Sequence, residues 1–323
     1  MITFAATRDT GDIMDFIDRE WRKGHILARD RAFFTWMYAP AGDGRVNFVI
    51  SRNENGEIDG LLGFIPYDRE GKQISLALWK ALKSAGGMVG MGMLAFLEKE
   101  LQPQVIATPG VNPGTTGAIY KYFKYAVGKM DHRYRPADRT DFRLAEMAKA
   151  SRPAAKDAGD IRIREITAFE EYEQAGIRLA PNALQKEGWY IRRRYFEHPV
   201  FHYQHRIVED DAGKLDVVMR VQEAEGASCL RIVDLLGDYR LLPAFTGALD
   251  ALMAEGGHEY ADCYAAGIPK ELWNEAGWLD PEETGSIIPN YFAPFERRNV
   301  EIWYSSKPAG IVMLRGDGDQ DRP

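Results

Sequence analysis

The alternation of apolar and polar residues predicts an α/β chain in which a similar order of elements occurs twice. In the first half, apolar or alternating runs predict a strand ending near Trp79 and further strands at 2–6, 45–51, 58–65, 104–108 and 128–134. Apolar residues at helical spacing predict helices at 12–22, 31–38 and 115–125. The dipeptide Asn55-Gly56 favours a tight hairpin turn between two of these strands.

The second half repeats the architecture with little repetition of sequence. Strands are predicted at 161–166, 229–236, 260–265 and 300–305, and helices at 169–178, 186–197, 241–255 and 269–276. We therefore predict two modules, residues 1–144 and 161–323, joined by a linker at 145–160 that is rich in Ala, Lys, Ser and Asp. The strands at 128–134 and 300–305 are each expected to close their own module.

A glycine-rich loop is the main chemical signal in the first half. The segment 86–92 reads GGMVGMG; an apolar strand precedes it and a helical run follows it. Glycine lets a ligand approach the backbone closely, and the first amides of a helix lack intrahelical partners. This strand–loop–helix order predicts a site for an anionic group such as a pyrophosphate.

Composition narrows the classes of function. The 323 residues carry a net charge of −7, with 45% hydrophobic and 28% charged residues, so nucleic acid is not an expected partner. No apolar run is long enough to cross a bilayer, and the first residues lack a signal-peptide pattern. Cys229 and Cys263 show no metal-ligand spacing and are expected to be buried thiols, so we expect a cytoplasmic protein without a metal.

The order of elements in the first half resembles that of GNAT acyltransferases. The phosphate loop of that superfamily matches at Gly90-Met91-Gly92, but Gly87 stands where Gln or Arg is usual. A later helix of the family matches at Ala118, Ile119, Tyr120 and Phe123. The resemblance implies a mixed-sheet α/β fold with two tandem GNAT-like domains.

The second half resembles the same fold but lacks the loop. Its corresponding segment, 236–240, has no usable glycine loop, and Asp238 would repel a phosphate. The resemblance therefore implies acyl-CoA binding by the first half only, with the second half contributing to the acceptor site.

The whole chain is similar to two-module GNAT proteins encoded with bacterial O-antigen, capsule and lipopolysaccharide genes. That likeness implies an acyl-CoA-dependent N-acyltransferase acting on the amino group of a nucleotide-linked amino sugar. A homodimer is left open.

The resemblance also implies site residues. Acyl-CoA would be bound by Leu78, Trp79, Lys80, Gly87, Met88, Val89, Gly90, Met91, Gly92 and Met93. Tyr120 matches the position of the general acid that protonates the leaving thiolate, although it could equally be a packing aromatic.

Three further expectations rest on residue chemistry. Asn112 could orient the thioester or amine, or cap the following helix. His132 is the first choice of general base, with a water chain as the alternative. Asp319, Asp321 and Arg322 could contact a sugar or nucleotide, or form a solvated terminus.

Two other functions stay open from the sequence. A FemAB-like aminoacyl transferase would need a long basic face, which this acidic chain does not show. A non-catalytic GNAT-fold protein that binds acyl-CoA is the other alternative, because the usual Gln or Arg of the loop is replaced.

Overall fold

The computed structural model describes residues 1–148, 153–155, 159 and 161–322. Its strands are β1 (Ile2–Ala6), β2 (Arg45–Arg52), β3 (Ile58–Pro66), β4 (Gln73–Ala81), β5 (Val105–Val111), β6 (Ala126–Lys129), β7 (Asp131–Pro136), β8 (Arg162–Ile166), β9 (Gln204–Glu209), β10 (Lys214–Ala224), β11 (Ala227–Gly237), β12 (Tyr260–Ala266), β13 (Tyr291–Phe292), β14 (Phe295–Glu296), β15 (Trp303–Lys307) and β16 (Met313–Leu314).

The α-helices are α1 (Thr10–Phe16), α2 (Ile26–Arg29), α3 (Arg31–Tyr38), α4 (Val89–Leu101), α5 (Gly117–Tyr122), α6 (Phe169–Ala175), α7 (Gly188–Ile191), α8 (Leu242–Gly256), α9 (Lys270–Glu275) and α10 (Pro281–Thr284). Five-residue π-helical turns, Ile17–Trp21 and Arg192–Phe196, extend α1 and α7. No helix in the described part of the chain is both long and apolar enough to span a bilayer.

Two mixed sheets organise the molecule. The first has the order β1-β2-β3-β4-β5-β15-β6, and the second has the order β16-β12-β11-β10-β9-β8 with β7 also paired to β12. Apolar residues of α4, Met93, Leu94 and Leu97, pack on the first sheet. Phe245 and Leu249 of α8 occupy the corresponding place in the second half.

The two halves exchange strands. The predicted closing strand at 128–134 is in fact two strands: β6 stays in the first sheet, whereas β7 pairs antiparallel with β12 of the second. The expectation that 300–305 closes the second module is wrong, because β15 lies between β5 and β6 of the first sheet. The proposed module boundaries at residues 144 and 161 stay a prediction, and most of the linker at 145–160 lies outside the described residues.

Each sheet contains a pair of parallel strands that separate. Strands β4 and β5 pair only at Gln73↔Val105 and Ile74↔Ile106. Strands β11 and β12 pair only at three positions, Leu230↔Ala261 to Ile232↔Cys263. We call these the first split and the second split.

The second split is filled by the chain itself. Strand β16 pairs with Ala265 and Ala266 of β12, on the edge that faces β11 because β7 covers the other edge. The amide of Gly316 then donates to the carbonyl of Val233 on β11, at 2.8 Å. A segment of the chain, residues 313–316, therefore bridges the separated strands.

Candidate active site

The first split is an open cleft. Its walls come from β4, β5, the start of the α5 region and the C-terminal segment 317–322, which we call the tail. The lining residues are Trp21, Leu76, Ala77, Leu78, Trp79, Lys80, Thr108, Pro109, Gly110, Val111, Asn112, Thr115, Thr116, Tyr120, Asp319, Gln320 and Arg322. The structure thus brings Leu78, Trp79, Lys80, Asn112, Tyr120, Asp319 and Arg322 of the expected site residues to one place.

A β-bulge in β4 exposes main chain to this cleft. Leu62 pairs with Trp79 and Phe64 with Leu76, so Ala77 and Leu78 together face the single residue Gly63. Beyond Ile74, no residue of β5 pairs with β4 in the described chain. A strand edge with unpaired amides and carbonyls can bind an extended, amide-containing ligand as an added strand does.

Side chains hold the two strands apart at the point of separation. The Thr108 hydroxyl accepts from the amide of Leu76, at 3.1 Å, where a ladder bond would otherwise form. The Ser75 hydroxyl donates to the carbonyl of Ala107 and is itself 2.7 Å from the Tyr67 hydroxyl. The amide of Gly318 donates to that Tyr67 hydroxyl, at 2.7 Å, so the tail is anchored at the apex of the cleft.

Tyr120 lies at the cleft on α5 and is 2% exposed. Its ring meets Trp79 edge-on with 5.4 Å between centroids, and its hydroxyl lies near Thr108 and Ser305. Burial raises the pKa of Tyr120 well above its ordinary value, so the phenol keeps its proton at neutral pH. A protonated donor is therefore available in the cleft.

The glycine loop leads from β4 into α4, a helix of 13 residues. Gly86 has φ +90°, and Cβ atoms added at Gly86 and Gly87 would meet nothing within 4 Å. The amides of Gly90 and Met91 have no acceptor in the part of the chain that the structure describes. A Cβ on Gly90 would lie 3.5 Å from the indole nitrogen of Trp79, so the helix start adjoins the cleft.

The remaining loop residues differ in exposure. Met88 is 71% exposed, whereas Met93 is fully buried and its side chain packs against Gly60. Met93 therefore belongs to the core below the loop, and any contact with a ligand there would come from the residues before it.

The tail contributes the only carboxylate among the residues that line the cleft. Asp319, 6% exposed, is held by Arg322 and accepts a hydrogen bond from the side-chain Nε2 of Gln320 at 3.2 Å. The Arg322 guanidinium also lies 5.1 Å from the ring centroid of Trp21. Asp319 and Arg322 thus form an ion pair on the wall of the cleft.

Asp321, in contrast, is a structural anchor. Its carboxylate accepts two bonds from Arg220, at 2.8 and 2.9 Å, and one from the Tyr203 hydroxyl at 2.7 Å, and Arg194 lies 3.4 Å away. Although burial opposes ionisation, Arg220 and Arg194 hold the pKa of Asp321 well below its ordinary value. With every oxygen engaged, Asp321 fixes the tail and has no bond left for a substrate.

Two of the expected catalytic residues have other surroundings. His132 lies on β7 in the second sheet, stacked on Tyr264 with 4.0 Å between centroids and 3.5 Å from Asp262. Burial lowers its pKa. It is not among the residues lining the cleft, because the strand that carries it crosses to the other half. Asn112 does line the cleft, but its side chain accepts from the amide of Gly114 at 3.0 Å and caps the turn.

The start of α8 in the second half offers no such loop. A Cβ on Gly237 would collide with the carbonyl of Lys214, so this glycine serves close packing. Asp238 accepts from the amide of Arg240 at 3.0 Å and forms an ion pair with the same arginine. Among the described residues, no group of three or more His, Cys, Asp or Glu side chains is arranged to hold a metal ion.

Comparison with solved structures identifies the fold. A GCN5-related N-acetyltransferase from Anabaena variabilis ATCC 29413 aligns over 95% of this chain and 72% of its own, with a TM-score of 0.57 and 12% identity. A GCN5-related glucosamine N-acetyltransferase region in a fungal multi-domain GH3 β-N-acetylglucosaminidase aligns over 95% of this chain and 38% of its own, with a TM-score of 0.52 and 11% identity. No protein-family model and no curated protein sequence matches.

These likenesses confirm the predicted fold class, a mixed α/β architecture with GNAT-like halves. At such low identity the similarity concerns the fold. The chemistry of the site depends on its own residues.

Proposed function

We propose that this protein is an acyl-CoA-dependent N-acyltransferase whose reaction takes place in the first split. The observation that carries the proposal is the coincidence of three features in one place. These are an unpaired strand edge at Ala77–Leu78, free amides at the start of α4, and the buried, protonated Tyr120.

The cleft fits the chemical parts of acyl-CoA. The amides of Gly90 and Met91, at the positive end of a 13-residue helix, suit the pyrophosphate. Lys80, which forms no ion pair with a carboxylate among the described residues, adds a cation on the wall of the cleft. The bulged edge of β4 suits the amides of the pantetheine arm, and a main-chain N–H there can stabilise a developing oxyanion.

Acyl-CoA supplies the acyl group as a thioester, from which an amine displaces the thiol. We assign two proton transfers to this chain. Asp319 accepts the proton that the attacking amine loses as the new C–N bond forms. Tyr120 gives its proton to the sulfur as the C–S bond breaks. Asp319 takes the place that sequence reasoning gave to His132, because it is the carboxylate that lines the cleft.

The assignment of Asp319 has a direct test. D319N is expected to lower kcat roughly 100-fold with little change in the KM for acetyl-CoA. D319E, which keeps the carboxylate, should recover part of the rate. A D319N enzyme with unchanged kcat would show that the proton leaves through water instead.

The acceptor expected from the resemblance, a nucleotide-linked amino sugar of cytoplasmic surface-polysaccharide synthesis, is part of this proposal. The glucosamine N-acetyltransferase region with the same fold supports an amino sugar as one class to test. The experiment is a screen of acetyl-CoA and longer acyl-CoAs against glucosamine and against dTDP- and UDP-linked amino sugars, read by thiol release. If the screen shows no thiol release, calorimetry with acetyl-CoA alone distinguishes two explanations. Binding of acetyl-CoA would indicate an enzyme whose acceptor was not in the screen, and no binding would indicate a protein that does not use this coenzyme.

A further inference from the structure

A second pocket, half open to solvent, lies beside the tail. Its walls come from α3, the end of β3, the helical segment 188–196 and His198, so both halves build it. We call it the aromatic pocket, because its walls include Phe33, Trp36, Trp189, Tyr190 and His198.

The walls of the aromatic pocket are flat rings fixed against one another. Phe33 stacks on Trp36 with 5.6 Å between centroids and 27° between planes. His198 meets Trp36 edge-on at 4.6 Å, and Trp189 meets Tyr190 edge-on at 6.0 Å. Ring faces and edges held in this way favour a planar aromatic ligand over a saturated, hydroxylated one.

Arg193 brings a positive charge to this apolar pocket. Its guanidinium lies 5.3 Å from the ring centroid of Trp36 and donates to the Trp36 carbonyl at 2.6 Å. No carboxylate lies within ion-pair distance of Arg193 in the described residues, whereas its neighbour Arg194 has Asp321. A half-buried cation that is not in a contact ion pair can bind an anion.

Two further donors of the pocket have free hydrogens. The His198 Nδ1 accepts from the amides of Val200 and Phe201, at 3.1 and 2.9 Å, so its proton is on Nε2. Burial, with Arg194 nearby, lowers the pKa of His198 to about 3, which keeps the ring neutral. The buried hydroxyl of Tyr190 has no hydrogen-bond partner in the part of the chain that the structure describes.

Arg322 lines both the aromatic pocket and the cleft. A ligand that fills the pocket can therefore extend past Arg322 toward Asp319. We propose that the aromatic pocket binds the far end of the acceptor, a planar aromatic ring that carries an anionic group. Its role as acceptor subsite rests on the proposed acyl transfer; its ligand chemistry does not.

Two kinds of acceptor contain this chemistry. One is a nucleotide-linked amine, which offers a base and a phosphate. The other is an aromatic amino acid, which offers a side-chain ring and a carboxylate. Calorimetric titration without acyl-CoA distinguishes them, with UDP and dTDP as the first kind of probe and phenylalanine and tryptophan as the second. Inorganic pyrophosphate lacks the ring, and uridine and phenethylamine lack the anion.

The variants are R193Q and W36A, with R192Q as the matched control, since Arg192 is partly exposed and pairs with Glu170. We expect one kind of ring-and-anion probe to bind. R193Q should weaken that binding at least about tenfold, and R192Q should change it less than twofold. Uridine or phenethylamine should bind more weakly, and R193Q should leave the affinity for these two probes unchanged. The same probe joined to a primary amine should then be acetylated, with its KM raised by R193Q.

The proposal is overturned if neither kind of probe binds, or if R193Q and W36A leave binding unchanged. It is also overturned if W36A weakens the binding of a long-chain acyl-CoA but not that of acetyl-CoA, since the pocket would then hold the acyl chain. Acetyl-CoA titrated into the same variants keeps the two proposals apart: its failure to bind wild type refutes acyl transfer, whatever the pocket binds.

Discussion

The two splits differ in what fills the gap between their strands. In the first split, β4 and β5 separate after two residue pairs and leave an open cleft. In the second, β11 and β12 separate after three pairs, and residues 313–316 join them by main-chain bonds. The same arrangement of strands is thus available to a ligand in one half and is completed by the protein in the other.

The helices that follow the splits, α4 and α8, also differ in whether the protein itself occupies the helix start. The start of α4 offers open glycines and free amides, whereas the start of α8 is occupied by Lys214, Asp238 and Arg240. The proposed site therefore lies in the half whose main-chain groups are left without protein partners, and not in the half where the chain engages them itself. Four variants test this difference between the halves.

The largest effect is expected at Gly90. G90E places bulk and a negative charge among the free amides of α4, so acetyl-CoA affinity should fall at least about 100-fold, as calorimetry would show. G247E adds the same charge to α8, at a site with nothing within 4 Å, and should leave the affinity unchanged. Equal effects of the two variants, or none, would mean that the start of α4 is not the coenzyme site.

Tyr120 comes next. Y120F removes the proposed proton donor from the first split, and we expect kcat to fall roughly 100-fold while the KM for acetyl-CoA stays within about threefold. Y125F is the control, because that hydroxyl bonds Glu98 at 2.8 Å and does not line the cleft. If both variants keep full activity, Tyr120 is only a packing aromatic.

The third variant changes Gly316, in the segment that bridges the second split. A Cβ there would lie 2.6 Å from the Tyr195 hydroxyl and 2.9 Å from the carbonyl of Val233. G316A should therefore lower the free energy of unfolding by about 2–3 kcal/mol, measured with urea. G87A, in the open loop of the first half, should change it by less than about 0.5 kcal/mol. A G316A protein as stable as wild type would mean that residues 313–316 are loosely held in the second split.

The smallest effect concerns the pH dependence of stability and His198, which lies close to Arg194, a residue that binds Asp321 of the tail. Burial and Arg194 lower the pKa of His198 to about 3 in the folded protein, against an ordinary value of 6.5. Between pH 3 and pH 6.5, His198 binds more protons in the unfolded chain than in the folded protein. The contribution of the neutral ring to the free energy of unfolding is therefore complete above pH 6.5 and is lost as the pH falls. H198N keeps an acceptor for the Val200 amide without titrating. When the pH is lowered from 7.5 to 5, the free energy of unfolding should fall for both proteins. The fall should be smaller for H198N than for wild type, and the difference between the two should be about 1–2 kcal/mol.

An identical pH dependence for H198N and wild type would contradict a buried neutral His198. Asp317 titrates in the same range, because burial raises its pKa to about 6, and its effect has the opposite sign. Since both proteins contain Asp317, the difference between them isolates His198.

Local sequence predicted much of the fold. The periodicities give β1, α3, β2, β3 and the strand–loop–helix unit close to their observed bounds, because turn residues and apolar spacing act within a few residues. The partner of a strand is set by contacts distant in sequence. The apolar pattern of 300–305 is therefore equally compatible with either sheet, and the exchange of β7 and β15 could not be predicted.

At the site, too, local features could be predicted from the sequence and contacts between distant residues could not. Trp79, Lys80 and Tyr120 were found because they lie on or beside local motifs, and they do line the cleft. Asp321 and Asp319 look alike in sequence, but Arg194, Arg220 and Tyr203 engage only the first. That distinction depends on three residues more than a hundred positions away, and no local signal contains it.

The exchange of β7 and β15 has a consequence for how the polypeptide can be divided. A single cut between residues 148 and 161 would leave two fragments, each holding one strand of the other's sheet. Such fragments should stay associated after cleavage and should reconstitute the fold only when mixed, so that neither behaves as an autonomous folding unit.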